Sequence, residues 1–245
     1  MNIVKYSIIV PTLNEEKMLP NLLKQISQTT LKGRYNYEVI VSDGGSSDNT
    51  VEIAMKYSDI VKVHCNSYRQ NIAEGRNVGA SFAKGEVLIF LNADVMLSDP
   101  DKFFQFLNNS FCKSKYLAMS CFVKIFPSEE NAADKFFHTI YNRYFRLLNF
   151  LGVGMGRGEC QIIRREVFDK MNGYDEKLAA GEDFELFKRI RKAGKILYSK
   201  AVYIFESPRR FRTLGYRNVT YVWIQNGLSV FFKNTAISKE WEQIR

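Results

Sequence analysis

The chain has 245 residues with 35 Lys+Arg against 26 Asp+Glu, a formal charge of +9, and that length suits one large domain, or one domain with an appendage, around a sizeable core. Hydrophobic residues make up 46% and charged ones 25%, ordinary globular usage that argues against wholesale disorder, collagen-like repeats and disulfide miniproteins. Cys65, Cys112, Cys121 and Cys160 form no CxxC pair and no His stands at zinc-finger spacing, so reduced thiols are expected rather than a disulfide framework or structural zinc.

Met1 to Tyr6 run straight into the strand-like Ser7 to Val10 without a basic segment followed by an apolar one, so no signal peptide is expected. No stretch reaches about 18 uninterrupted apolar residues, so no transmembrane helix is expected either. These features point to the cytoplasm. Leu19, Leu22, Leu23 and Ile26 at helical spacing and then Glu38 to Val41 follow the first strand, an alternation that predicts βαβ units. A weak strand at Val61 to His64, a helix through Arg76 to Ala83 and a strand at Val87 to Leu91 continue it, with strands that read as buried on both faces.

The second half is less regular. It reads as a helix from about Asp101 to Lys113, a strand near Leu117 to Val123, an aromatic and basic stretch from Phe136 to Phe150, and a glycine run from Gly152 to Gly158 that reads as a mobile loop. Then follow a strand at Cys160 to Ile163, a helix from Glu166, Gly173-Tyr174-Asp175, and Gly181-Glu182-Asp183 opening a helix from Phe184 to Lys192.

Polar clusters follow three of the strands: Pro11-Thr12-Leu13-Asn14-Glu15-Glu16, Ser42-Asp43-Gly44-Gly45-Ser46-Ser47-Asp48 and Asn92-Ala93-Asp94. Ligands of open α/β sheets bind at strand carboxyl ends, so the three clusters predict one site. Thr12-Leu13-Asn14-Glu15 also fits a capping box. Ser46, Ser47 and Asp48 are expected to cap a helix beginning near Asn49. Asp43, followed by Gly44-Gly45, leaves room for a planar ligand and offers acceptors to a nucleobase or ribose. Asp94 at the end of a buried strand is costly unless neutralised, which favours metal ligation over a structural cap.

These motifs, together with Gly75-Arg76-Asn77-Val78-Gly79 and Gly181-Glu182-Asp183, resemble in order and spacing the family 2 glycosyltransferases over about residues 5 to 200. The resemblance implies the GT-A fold: an α/β architecture with a mixed, mostly parallel central sheet flanked by helices and a C-terminal helical appendage. It places the catalytic domain at about residues 1–205, with a nucleotide-sugar half to about 95 and an acceptor half to about 205, and a basic, aromatic extension at 206–245. The implied activity is inverting transfer from a UDP- or GDP-sugar, helped by Mg²⁺ or Mn²⁺.

On that resemblance Pro11, Thr12, Asn14, Glu15, Asp43, Gly44, Arg76, Asn92, Ala93, Asp94 and Arg210 bind the donor, with Asp43 reading the base and Asp94 holding the metal. Asn92 replaces the first Asp of the family's Asp-X-Asp motif and so removes one charge from the metal site. Asp183 aligns with the general base, supported by Glu182. A helix start is expected to keep Asp183 ionised; the alternative is that these acids merely stabilise the first turn. The Gln-X-X-Arg-Trp motif of processive members is missing, which favours single-sugar transfer. Ser207-Pro208-Arg209-Arg210-Phe211-Arg212 resembles a loop that closes over the donor diphosphate, a role suited to the arginine fork.

Ten Lys and Arg between Phe184 and Arg217 face only Glu185 and Glu206, a patch for anions: the donor diphosphate, a polyprenyl-phosphate-linked or sugar acceptor, or an anionic membrane on the inner face of the cell. Nucleic acid is disfavoured because no binding motif accompanies the charge. Tyr216 to Phe232 reads either as an interfacial helix or as a terminal helix docked on the core or in a homodimer. Rival classes are a nucleotidyltransferase, which would need a Gly-rich basic loop after the first strand, and a non-catalytic nucleotide- or membrane-binding module. Gly152-Val153-Gly154-Met155-Gly156 lacks GxGxxG spacing and a preceding early strand.

Overall fold

The aliphatic runs of the sequence become the centre of one sheet. The computed structural model describes residues 4–233 and 235–237, so 238–245 of the expected extension, and Met1 to Ile3, lie outside the described residues. Strands β1 (Tyr6–Thr12), β2 (Tyr37–Asp43), β3 (Ile60–Val63), β4 (Val87–Leu91), β5 (Val95–Leu97), β6 (Ala118–Ile125), β7 (Cys160–Arg164) and β8 (Ile196–Glu206) lie in the order β3-β2-β1-β4-β7-β6-β8-β5. The four β3, β2, β1 and β4 strands are mutually parallel, β6 and β8 are parallel, and the remaining pairings are antiparallel. The sheet is therefore mixed and mostly parallel.

The helices are α1 (Leu19–Ile26), α2 (Thr29–Tyr35), α3 (Thr50–Tyr57), α4 (Ile72–Phe82), α5 (Pro100–Phe106), α6 (Ala132–Phe150), α7 (Arg165–Lys170), α8 (Glu182–Ala193) and α9 (Arg209–Lys233). They cover both faces because strand side chains alternate. Ile8 and Val10 of β1 join the layer of α1, α2 and α5, while Ile9 joins the layer of α4, α7 and α8. Strands β1, β2 and β4 are accordingly buried on both sides. The register places Thr12 beside Asp43 at the carboxyl end of the parallel core, which brings the first two polar clusters together.

Several local expectations change. The helix expected to Lys113 ends at Phe106 and continues as a π-helical turn over Leu107–Phe111. The glycine run is packed rather than loose: a Cβ on Gly154 (φ +81°) would lie 2.5 Å from Arg191 Cβ and 2.7 Å from the Phe187 carbonyl oxygen. Only a residue without a side chain lets this loop close on α8. Helix α9 breaks at Gly215 (φ 75°, ψ 149°). Its second part docks on the body, with Val219 in a cluster with Tyr141 and Phe211, and Val230 against Leu178 and Phe184. Asp134 of α6 ties the break down by accepting from Arg212 Nη1 at 2.8 Å and from the Tyr216 hydroxyl. Among the described residues no helix is long and apolar enough to cross a membrane.

Candidate active site

A cleft of about 450 Å³ opens at the carboxyl ends of β1 and β4. Of the sequence-predicted residues, Pro11, Thr12, Glu15, Gly44, Asn92, Ala93, Asp94 and Arg210 line it. Asn14 lines an adjoining recess with Gly44, Gly45 and His64. Asp43, Arg76, Glu182 and Asp183 stand outside the lining of the cleft.

The expected capping box does not form. Thr12 ends β1 and its hydroxyl donates to Asp43 at 2.9 Å, while the Glu15 amide donates to Thr50 Oγ1 at 2.7 Å. Helix α1 begins only at Leu19 and its N-cap, Met18, makes no side-chain cap. Asp48 does bond the first amide of α3, Thr50, at 3.0 Å, whereas Ser46 and Ser47 bond Asn14 instead of capping. Asp43 is fully buried. Its oxygens accept from Thr12, from the Gly45 amide at 2.9 Å and from the Ser46 amide at 2.7 Å. The carboxylate thus shapes the Gly44-Gly45 turn that walls the cleft.

Arg76 is likewise interior. Its guanidinium pairs with Glu182, donates to Asn92 Oδ1 at 3.1 Å and to the Gly158 carbonyl at 2.9 Å, and lies over the Tyr174 ring. One buried cation thus joins the start of α8 to the turn after β4. Asp183 sits beside this group, with Oδ2 3.3 Å from where a Cβ on Gly158 would lie. Burial, and then the neighbouring Glu182 carboxylate, push Asp183 up to about 7. Arg76 and the bond that Asp183 accepts from the Phe184 amide at 2.8 Å pull it down without winning. The expectation that a helix start keeps this acid ionised is therefore corrected: desolvation outweighs the first-turn amides.

Asp94 lies in the turn between β4 and β5 instead of ending a strand. Its Oδ2 accepts from Arg209 Nη2 at 3.1 Å, and the same nitrogen lies 2.7 Å from Glu15 Oε1. Arg209, one residue before the expected Arg210, is a site residue that the sequence reading placed only within a loop. Four more were not anticipated as site residues. Glu159 and Glu206 line the cleft and grip the buried Arg157, at 2.9 and 3.3 Å. His138, close to Glu206, is lowered to about 4 by burial and by Arg157, so it is neutral at pH 7. Burial and the Glu159 carboxylate raise Glu206 far above the usual range. Burial opposes ionisation of Glu159 too, but Arg157 holds that carboxyl below its usual value. The Glu206 signal was a lone acid at the end of an apolar strand; Arg157 and Glu159 were hidden in a glycine run.

The donor set suits a hard divalent cation held by one protein carboxylate. Asp94 already attracts a cationic group, and Asn92 is turned to Arg76, so further oxygens would come from a phosphorylated ligand, as is common for Mg²⁺.

The description "Glycosyl transferase family 2" matches residues 7–171. An uncharacterized glycosyltransferase of Haemophilus influenzae is 42% identical over 88 residues, 36% of this chain and 29% of that one, so the chain spans less than a third of this relative. The O-antigen chain rhamnosyltransferase RfbN of Salmonella typhimurium is 25% identical over 248 residues, 91% of this chain and 75% of that one. Among solved structures, the mannosyltransferase PcManGT of Pyrobaculum calidifontis, in complex with GDP-Man and Mn²⁺, superposes with a TM-score of 0.71 at 20% identity, covering 94% of this chain and 63% of that one. The architecture is the GT-A fold, and with the family description spanning most of the chain, the protein belongs to glycosyl transferase family 2.

Proposed function

We propose that the protein transfers a single sugar from a UDP- or GDP-sugar to an acceptor hydroxyl or lipid phosphate, with inversion at the anomeric carbon. The observation that carries this reading is Asp183, a carboxyl held at about 7 beside the Glu182–Arg76–Asn92 chain of contacts that leads to the Asp94 turn. A general base works best when its pKa lies near the operating pH. Glu159 and Glu206 are both committed to the buried Arg157, at 2.9 and 3.3 Å, which sets them apart from Asp183.

Ionised Asp183 takes the proton of an acceptor hydroxyl as its oxygen bonds the anomeric carbon and the bond to the donor diphosphate breaks. Glu182 and Arg76 fix Asp183 in place. Arg209 and Arg210 present guanidinium forks to the diphosphate. Asp94 would hold Mg²⁺ or Mn²⁺, which would stabilise charge gathering on the leaving diphosphate. The mannosyltransferase in complex with GDP-Man and Mn²⁺ among the similar structures supports the donor class.

Screening UDP- and GDP-sugars for protection against thermal unfolding, with and without Mn²⁺, tests the donor, and sugar release or transfer tests the reaction. One donor is expected to protect, more strongly with the ion. Protection by none, or binding without any turnover on acceptor screening, would reject the proposal in favour of a non-catalytic module.

A further inference from the structure

Helices α6 and α9 pack on each other through Tyr141, Phe211 and Trp223, yet each leaves a second apolar face uncovered. On α6, Phe136, Ile140, Tyr144 and Leu147 are exposed at successive turns, and Phe150, 84% exposed, and Leu151 extend the row. On α9, Tyr221, Ile224, Leu228 and Phe232 repeat the pattern, with Phe232 75% exposed. The spacing is that of one helix face. Single exposed apolar residues are ordinary, but two neighbouring rows of them mark a surface that something covers.

Charge identifies the occupant. Arg143 and Arg146 on α6, and Arg217 and Lys233 on α9, are exposed, while Lys135 faces Glu130 at 3.6 Å and Arg212 pairs with Asp134. The one acid in the sequence of either helix, Asp134, is buried against Arg212. A second copy of the chain would set cations against cations. Aromatic and aliphatic rows bordered by cations, with no exposed acid on either helix, are the composition of helices that lie in the headgroup region of an anionic bilayer.

We propose that α6 and α9 together seat this chain on an anionic lipid surface, their apolar rows entering the headgroup boundary and their cations meeting the lipid phosphates. The seat is continuous with the cleft, because Phe211 and Trp223 of α9 also line it. An acceptor carried in the bilayer would then be presented beside the bound donor.

The test is flotation of the full chain with phosphatidylcholine vesicles and with vesicles of phosphatidylcholine and phosphatidylglycerol, at low and high salt. The parent is expected to float with the anionic vesicles, less so as salt rises. The triple variant Ile140→Asp, Leu147→Asp, Leu228→Asp should bind at least about tenfold more weakly, as should Arg143→Glu, Arg146→Glu, Arg217→Glu. All six helix-surface changes should leave the circular dichroism spectrum and thermal midpoint of the lipid-free protein unchanged, which confirms that lost binding is not lost folding. Absence of vesicle binding by the parent overturns the proposal, as does apolar-row binding equal to the parent's. A lipid-free dimer that the Asp variants split into monomers overturns it as well, and assigns the face to a second copy.

Discussion

Arg209 Nη2 lies 3.1 Å from Asp94 Oδ2 and bridges onward to Glu15, so a side chain of α9 ties the turn after β4 to the segment after β1. A cation arriving at Asp94 has to displace that guanidinium. Arg209→Ala should therefore bind Mn²⁺ more tightly than the parent when no donor is present. The same variant should bind nucleotide-sugar more weakly, because it removes a fork matched to phosphate. Calorimetric titration of each ligand reads the two opposite signs; shifts of the same sign would show that Arg209 and the ion do not compete. Asp94→Ala should abolish metal-assisted turnover with the fold intact, and full activity in that variant would reject Asp94 as the metal ligand.

Asp183→Asn should keep donor binding and lower transfer to a hydroxyl by about 10²-fold or more, the scale of general base catalysis. In the parent, transfer should rise with pH through about 7, where Asp183 loses its proton. Stability should move the other way. The folded-state pKa lies above the unfolded one, so the folded protein loses stability as pH rises from about 4 through about 7. Asp183→Asn should thus be more stable than the parent above about pH 7 and lose that advantage on acidification, as urea denaturation across pH would show. A flat difference would mean that Asp183 is not held protonated by its surroundings.

The Arg76–Glu182 pair is buried on both sides. Removing either partner leaves a lone interior charge, so Arg76→Met should cost about 3–5 kcal/mol by chemical denaturation. Arg76→Met with Glu182→Leu should recover much of that loss. Transfer should stay impaired in the double variant, since Asn92 and Asp183 would lose their neighbour. Recovery of activity along with stability would reduce the pair to a fold-stabilising role.

Asp134 is held down to about 2: burial opposes this, but Arg212 and Tyr216 outweigh it. A folded pKa below the unfolded one contributes stability that is present above about pH 4 and lost as pH falls towards about 2. Asp134→Asn should cost about 1–3 kcal/mol at neutral pH, a difference that shrinks on acidification. An equal cost at all pH values would mean that shape, not charge, matters at this position.

The first half of the fold was legible because its strands are continuous aliphatic runs and its helices start or end at polar clusters. Leu19 to Ile26 and Val87 to Leu91 announce burial on their own. The second half resisted for physical reasons. Strand β8 interleaves Lys200 and other polar residues with its apolar ones, and β5 is only three residues long. At the site, the motif residues around Asp94 could be read, yet the depth of Asp43 and Arg76 could not, since polar residue types do not tell whether they face a ligand or each other. The balance that raises Asp183 depends on Glu182, Arg76 and burial acting together, none of which is encoded in local spacing.

Gly215 divides α9 into a short arm that bears Arg209 and Arg210 and a long arm that bears the exposed aromatic row. The two arms meet at one residue with φ 75°, a conformation that side-chain-bearing residues rarely adopt. The bearing of the cleft arginines relative to the long arm is thus encoded as an angle in a single peptide unit. Replacing that glycine would re-aim both arginines without altering any residue of the cleft itself.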